Sequence, residues 1–297
     1  MKPMKIFDPH IHMTSRTTDD YQKMADAGIY AICEPAFWMG QPRTHVGTFE
    51  DYFLSLVGWE KFRAQQFGIH HVCTLAMNPK EANQKKLAEG VLELLPKYLQ
   101  KDSVVGVGEI GLDDQTTAEE QVMSRQIELA IEFKLPILIH TPHRDKKRGT
   151  QRCIDIVKES KIEPSFVLID HNTEETVRSV VDMGFYAGHS VYPNTKMEET
   201  RMANIVKEFG SERIIVNSAS DWGVSDPLMV PKTVNAMQNL GIPDSTIEQV
   251  VWKNPVQFFA QSGRIDLSSF DKRPKFDQSH SFQENSVLRG QTPEASL

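Results

Sequence analysis

Short runs of apolar residues recur along the chain, each followed by a longer stretch in which apolar residues return every three or four positions. Eight runs read as buried parallel strands: 5–12 (KIFDPHIH), 29–37, 71–78, 104–112, 136–141, 166–171, 185–191 and 213–220. Segments between them, among them 119–134, 152–160, 174–183 and 201–210, have helical spacing, with Val122, Ile127, Ala130 and Ile131 along one face of the first. Eight strand–helix alternations in one chain predict an α/β fold, a (β/α)8 TIM barrel, in preference to an open sheet. The barrel domain is placed at 1–264. Two regions break its rhythm. Residues 38–68 form an enlarged loop after strand 2, where apolar positions 49, 52, 53, 56 and 57 predict an extra packed helix. The competing reading is a rim loop that shapes a pocket or a subunit contact. From 265 to 297 the composition turns to Ser, Gln, Pro, Glu and Asp without periodicity, which predicts an irregular or disordered tail.

Polar residues interrupt these runs at their ends. Glu109, His140 and His171 lie 31 residues apart, twice over, about one strand and crossover helix per step. They are therefore expected at the same rim, the one that carries chemistry in barrels. In the first run Asp8, His10 and His12 alternate, so strand geometry predicts one shared face on which two imidazoles could converge on an ion. Glu109 stands among glycines in GVGEIGLD, and Asp221 follows the eighth run in NSASDW. Buried carboxylates and imidazoles are costly unless paired or metal-bound, which makes four such strand ends a candidate metal site.

Composition narrows the classes. The chain has 297 residues, 39% hydrophobic and 25% charged, ample for a core. A net charge of −7 argues against a broad nucleic-acid surface. The start lacks an apolar signal region and nothing approaches a membrane span, so a cytoplasmic protein without membrane attachment is expected. Cys33, Cys73 and Cys153 are odd in number and far apart, which predicts buried small side chains and no disulfide framework. Neither a GxxxxGK[ST] loop nor a GxSxG elbow is present.

Together DPHIH (8–12), GEIGLD (108–113), IHTP (139–142), DHN (170–172), SD (220–221) and NPVQFF (254–259) resemble the TatD-like metal-dependent hydrolases, a branch of the amidohydrolase-like TIM barrels. The resemblance implies a dinuclear site: His10, His12 and Asp221 on the first divalent ion, His140 and His171 on the second, and Glu109 bridging both. It also implies that Asp221 is both ligand and proton acceptor. Zinc or manganese suits a mixture of His and carboxylate ligands, with magnesium as a further candidate. Asp8 is read either as a support for the ligand histidines or as an N–H acceptor closing the strand. The stretch Ala219-Ser220-Asp221 departs from the family's common Glu-Thr-Asp, and 38–68 exceeds the short second loop of its better-known deoxyribonucleases.

Candidate substrate contacts are His143 and Arg144, in a basic cluster with Lys146, Lys147 and Arg148 that could hold a phosphate or carboxylate, and His189, Arg43 and Glu34. His70 and His71 begin strand three, at the opposite rim, and are expected to take no part in catalysis. The leading expectation is hydrolysis of an ester, amide or phosphoester bond in a small or medium polar substrate by an activated water. A TatD-like deoxyribonuclease or phosphodiesterase acting on single-stranded DNA and a non-catalytic metal-binding barrel are the alternatives. Metal ligands do not name the bond attacked, so an isomerase or deaminase is also compatible. The oligomeric state is not readable.

Overall fold

The computed structural model describes residues 4–275. Strands β1 (Ile6–Asp8), β2 (Ile29–Pro35), β3 (His70–Leu75), β4 (Val104–Gly111), β5 (Ile137–His140), β6 (Val167–Ile169), β7 (Tyr186–Ser190) and β8 (Ile214–Asn217) are all parallel, each paired with the next in chain order. Beyond the two edge strands, the Ala219 N–H donates to the His10 carbonyl at 2.8 Å and the His12 N–H to the Ser220 carbonyl at 2.9 Å. The edges of the sheet meet there, and the architecture is the expected (β/α)8 barrel.

The helices are α1 (Thr18–Asp26), α2 (Val46–Leu54), α3 (Lys61–Gln65), α4 (Lys85–Leu99), α5 (Thr117–Phe133), α6 (Lys146–Ser160), α7 (Val177–Val181), α8 (Glu199–Phe209), α9 (Met229–Asn239), α10 (Asp244–Glu248), α11 (Asn254–Ala260) and α12 (Leu267–Phe270). Where α5 starts, the Thr116 hydroxyl accepts from the Glu119 N–H at 3.2 Å. The Glu119 carboxylate in turn accepts from the N–H groups of Asp113, Asp114 and Gln115, which fixes the loop leaving β4. No helix among the described residues is long and apolar enough to cross a membrane. Cys33, Cys73 and Cys153 are buried and free.

Strand alternation divides the apolar residues into two layers. Phe7, Ala31, Cys33, Val72, Val105, Leu138, Leu168, Tyr186 and Ile215 fill the barrel, with Trp252, Phe258, Phe259 and Phe270 packed against them. Ile6, Ile32, Cys73, Val104, Val107, Ile137 and Ile139 belong to the larger core under the helices. The interior is thus solid, and the buried histidines and carboxylates of the centre gather at the end where the strands stop.

The enlarged loop after β2 contains α2, a π-helical turn over Ser55–Glu60, and α3. Phe49, Tyr52, Phe53, Leu56 and Val57 are all buried, so this segment follows its own core logic as a packed helix. The expectation of an irregular tail from 265 is corrected at its start. Asp266 accepts from the Ser268 N–H at 2.9 Å, capping α12, and Phe270 meets Phe7 edge-on with ring centroids 5.5 Å apart. One aromatic in a polar segment has no periodicity to detect, yet it can fill a gap at the end of a barrel. Residues 276–297 of that expected tail lie outside the described residues.

Candidate metal centre

Glu109 lies within β4, His140 ends β5 and His171 follows β6 by two residues, so the 31-residue steps deliver all three to one rim. His171 holds a left-handed backbone conformation (φ 60°), unfavourable by about 1 kcal/mol for a residue with a Cβ. Next to it, Asp170 is buried against Gly188, where a Cβ would stand 2.4 Å from Asp170 Oδ1. Only glycine leaves that carboxylate its place.

β1 ends at Asp8, and the chain bends at Pro9 and His10. Phe7 is inside the barrel, whereas Asp8 pairs in register with Ile32 of the outer core and so faces the helices. The shared face expected for Asp8, His10 and His12 is therefore corrected: the bend changes the alternation, and the two histidines alone reach the centre. Asp8 Oδ1 accepts from the N–H groups of His10 (3.3 Å) and Ser218 (3.2 Å), the strand-closing role.

The centre consists of four imidazoles around one carboxylate. Glu109 Oε1 lies 3.1 Å from His140 Nδ1, 3.2 Å from His171 Nε2 and 3.6 Å from His10 Nε2, and Glu109 Oε2 accepts from Asn78 Nδ2 at 2.8 Å. His10 Nε2 and His12 Nε2 are 3.0 Å apart, and His140 Nδ1 and His171 Nε2 are 3.1 Å apart. The outer nitrogens decide the tautomers. His10 Nδ1 faces Asp170 Oδ2 at 2.5 Å and His12 Nδ1 faces the Pro35 carbonyl at 3.2 Å; both partners can only accept, so both Nδ1 atoms carry hydrogen. Two Nε2 lone pairs are left pointing at each other. Phe37 stacks on His12 with centroids 3.8 Å apart and holds the ring in place.

This donor chemistry fits divalent cations: His10 and His12 turn their Nε2 lone pairs inward with Nδ1 tied to acceptors, and an inward carboxylate with two further imidazoles stands beside them. His10, His12 and Glu109 form one group of donor atoms close enough to share an ion, and Glu109, His140 and His171 form another. Burial, then the adjacent His10 imidazole, which disfavours a second proton between the two rings, holds His12 well below the usual imidazole range, and burial with Lys196 does the same to His171. Burial alone would raise Glu109, but His140 and His10 hold it well below the carboxylate range. His140 moves up despite burial, because Glu109 and Asp113 favour its charged form.

Asp221 lines the mouth cavity of about 380 Å³ together with these histidines, but it belongs to neither of the two donor groups. Its Oδ1 accepts from the Tyr192 hydroxyl at 2.8 Å and the Gly223 N–H at 2.9 Å. Of the expected substrate contacts, only His143 lines this cavity. Arg144 is corrected to a surface residue, its side chain 87% exposed beside Asp114. His189 is fully buried, with Nδ1 on the Ala187 carbonyl at 3.1 Å. Arg43 is a packing residue: it donates to Glu81 Oε2 at 2.6 Å and to the Phe37 carbonyl at 2.9 Å, and lies over the rings of Phe49 and Tyr52. Glu34 faces the helix layer, accepting from the Thr14 N–H and sharing a 3.0 Å contact with His71 Nε2. Each was a polar residue near a strand end whose side chain points away from the mouth.

Sequence reasoning overlooked the supports. Asp170 stood beside His171 in the buried run FVLID, which was its signal, and Asn78 closed the third run. Tyr192 and Lys196, also in the cavity wall, come from the loop after β7 and had no signal. Lys196 Nζ lies 3.1 Å from His171 Nδ1.

Residues 7–260 match the family model described as TatD related DNase. An uncharacterized metal-dependent hydrolase of Methanocaldococcus jannaschii is 31% identical over 259 residues, covering 86% of this chain and 99% of its own. Deoxyribonuclease TATDN3 of Homo sapiens is 27% identical over 150 residues, 46% of this chain and 52% of its own. The crystal structure of a TatD-like protein from Archaeoglobus fulgidus superposes with a TM-score of 0.71 at 25% identity, covering 85% of this chain and 99% of its own.

Proposed function

The chain belongs to the TatD-related family of metal-dependent hydrolases, and from that premise we propose that it holds two divalent ions, zinc or manganese, and hydrolyses an ester, amide or phosphoester bond of a small or medium polar substrate. His10 and His12 with Asp221 would hold one ion, His140 and His171 the other, and Glu109 both. The observation that carries this reading is the pair of facing Nε2 lone pairs of His10 and His12, 3.0 Å apart with both Nδ1 atoms fixed on acceptors. Facing lone pairs repel, and a cation between them reverses the sign of the interaction.

Bound ions supply a water of lowered pKa and countercharge for the attacked group. The protein supplies the geometry. Asp221, turned by the Tyr192 hydroxyl and the Gly223 N–H, accepts the proton of the attacking water from the cavity wall. Asn78 holds Glu109 Oε2, which keeps Oε1 directed at the three histidines.

A second reading, single-stranded DNA as substrate, is favoured by aromatic surface at the mouth. Trp38 lines the cavity, and Trp222, next to Asp221, is 52% exposed, as a base-stacking platform requires. Elemental analysis after manganese or zinc loading tests the parent reading: about two ions per chain are expected. The His10→Ala, His12→Ala double variant is expected to lose about one ion and all hydrolysis while its thermal transition persists. Unchanged metal content in that variant would refute the ligand assignment. Matched assays on esters, amides, phosphoesters and a single-stranded oligonucleotide then separate the two substrate readings.

A further inference from the structure

Beside the metal centre lies a second cavity of about 420 Å³, which shares His143, His171, Thr195 and Lys196 with the mouth. The basic cluster 143–148 divides here. Arg144, Lys147 and Arg148 are exposed, whereas Lys146 is half-buried and lines the second cavity. Its ammonium donates to the carbonyl and hydroxyl oxygens of Thr141, each at 3.0 Å. Lys196, also half-buried, has His171 and the ring of Tyr192 as neighbours.

Both ammonium groups thus have neutral partners. Of the charges around them, Arg201 and Glu174 bind each other through two bonds of 2.7 and 2.6 Å, Glu109 faces three histidines, Asp170 holds His10 and Asn217, and Asp221, in the mouth wall with Lys196, accepts from the Tyr192 hydroxyl and the Gly223 N–H. Asp113 is paired with Lys80 at 2.8 Å, and Glu175 is exposed. Two like charges lining one half-buried cavity disfavour each other. Burial and then the charge of Lys196 push Lys146 down to about 8. An anion in this cavity relieves both lysines. His171, 3.2 Å from Glu109 and 3.1 Å from Lys196, lines both cavities and links the subsite to the metal donors.

We propose that Lys146 and Lys196 form an anion-binding subsite beside the metal centre, which holds a phosphate or carboxylate carried by the part of the substrate that is not cleaved. The inference rests on the hydrolase reading of the mouth and narrows its substrates to anionic molecules.

The test is calorimetric titration of inorganic phosphate and of succinate into manganese-loaded and chelator-treated protein, with metal content measured on the same samples. Wild type, Lys146→Met and Lys196→Met are compared, and Lys146→Gln, which keeps a donor for Thr141 without the charge, covers the case in which the methionine variant does not fold. Binding under both conditions is expected, weakened about tenfold or more by each substitution, the scale of one charge-assisted hydrogen bond. The tighter of the two probes identifies the anion. Binding that needs manganese and ignores the lysines would assign the anion to the ions and overturn the subsite, as would no binding at all. A chain that takes up no metal but still binds the anion through its lysines would instead defeat the dinuclear reading and leave the subsite standing.

Discussion

Asp170 illustrates how one side chain sets the chemistry of another. Its carboxylate accepts from Asn217 Nδ2 at 3.0 and 3.1 Å and from the His171 N–H at 2.7 Å, and it faces His10 Nδ1. Burial works against its ionisation, but His171, His10 and Lys196 outweigh burial and hold the carboxyl well below its usual range. A carboxylate acceptor at Nδ1 keeps the His10 lone pair on Nε2, toward the centre. Asp170→Asn can present its amide N–H to Nδ1, which favours the opposite tautomer and caps Nε2 with hydrogen. The expected result is metal affinity lower by roughly 10–100-fold in a chelator competition, with the melting temperature of the apoprotein nearly unchanged. Equal affinities in the two proteins would remove Asp170 from this role. At this scale the donors His10, His12, Glu109, His140 and His171 were legible because each interrupts an apolar run near its end. Lys196 was not, because a lysine in a loop carries no mark of the cavity it enters.

Among the elements, the added segment after β2 has the clearest internal logic. Its apolar positions 49, 52, 53, 56 and 57 announce a packed face, and burying one such aromatic or aliphatic side chain contributes about 1.5–3 kcal/mol. One join between the segment and the barrel is Arg43, whose fork reaches Glu81 in the loop between β3 and α4 and the Phe37 carbonyl just after β2. Arg43→Met would leave the Glu81 carboxylate buried with the backbone N–H of residue 43 but without its charged partner. Breaking such a pair costs about 3–5 kcal/mol, so thermal denaturation should show a fall of roughly 10 °C, with kcat preserved at a temperature where the variant is folded. A shift below about 2 °C would mean that water replaces the guanidinium there. The periodicity of the helix could be read from sequence, whereas the ion pair joins residues 38 positions apart and could not. The bend after β1 was hidden for a related reason: period-two alternation predicts faces only while the strand continues.

In the whole molecule, ionisable groups lie on both sides of the barrel wall. Outside it, Glu34 and His71 are buried among Glu60, Arg63, Tyr21 and Tyr52. Burial pushes Glu34 up to about 8 and His71 down to about 4, and it raises Glu60 as well. A raised carboxyl pKa means that the folded chain holds the proton more tightly than the unfolded chain. That contribution is complete below the ordinary value near 4.5 and is lost as pH rises through about 8. Melting temperatures measured from pH 5 to pH 9 should therefore decline less in Glu34→Gln than in wild type; parallel declines would show that Glu34 does not drive the alkaline loss. The sequence by itself determined the eight-fold strand–helix order, the packed insertion and the rim on which Glu109, His140 and His171 meet, since periodicity and spacing are local properties that a regular barrel converts directly into position. Tertiary structure alone decided which polar side chains face the mouth and which face the helices, that Asp170 supports His10, that Phe270 closes the far end, and that Lys146 and Lys196 share a cavity. Those facts depend on contacts between elements distant in the chain, for which the amino-acid order carries no periodic signal.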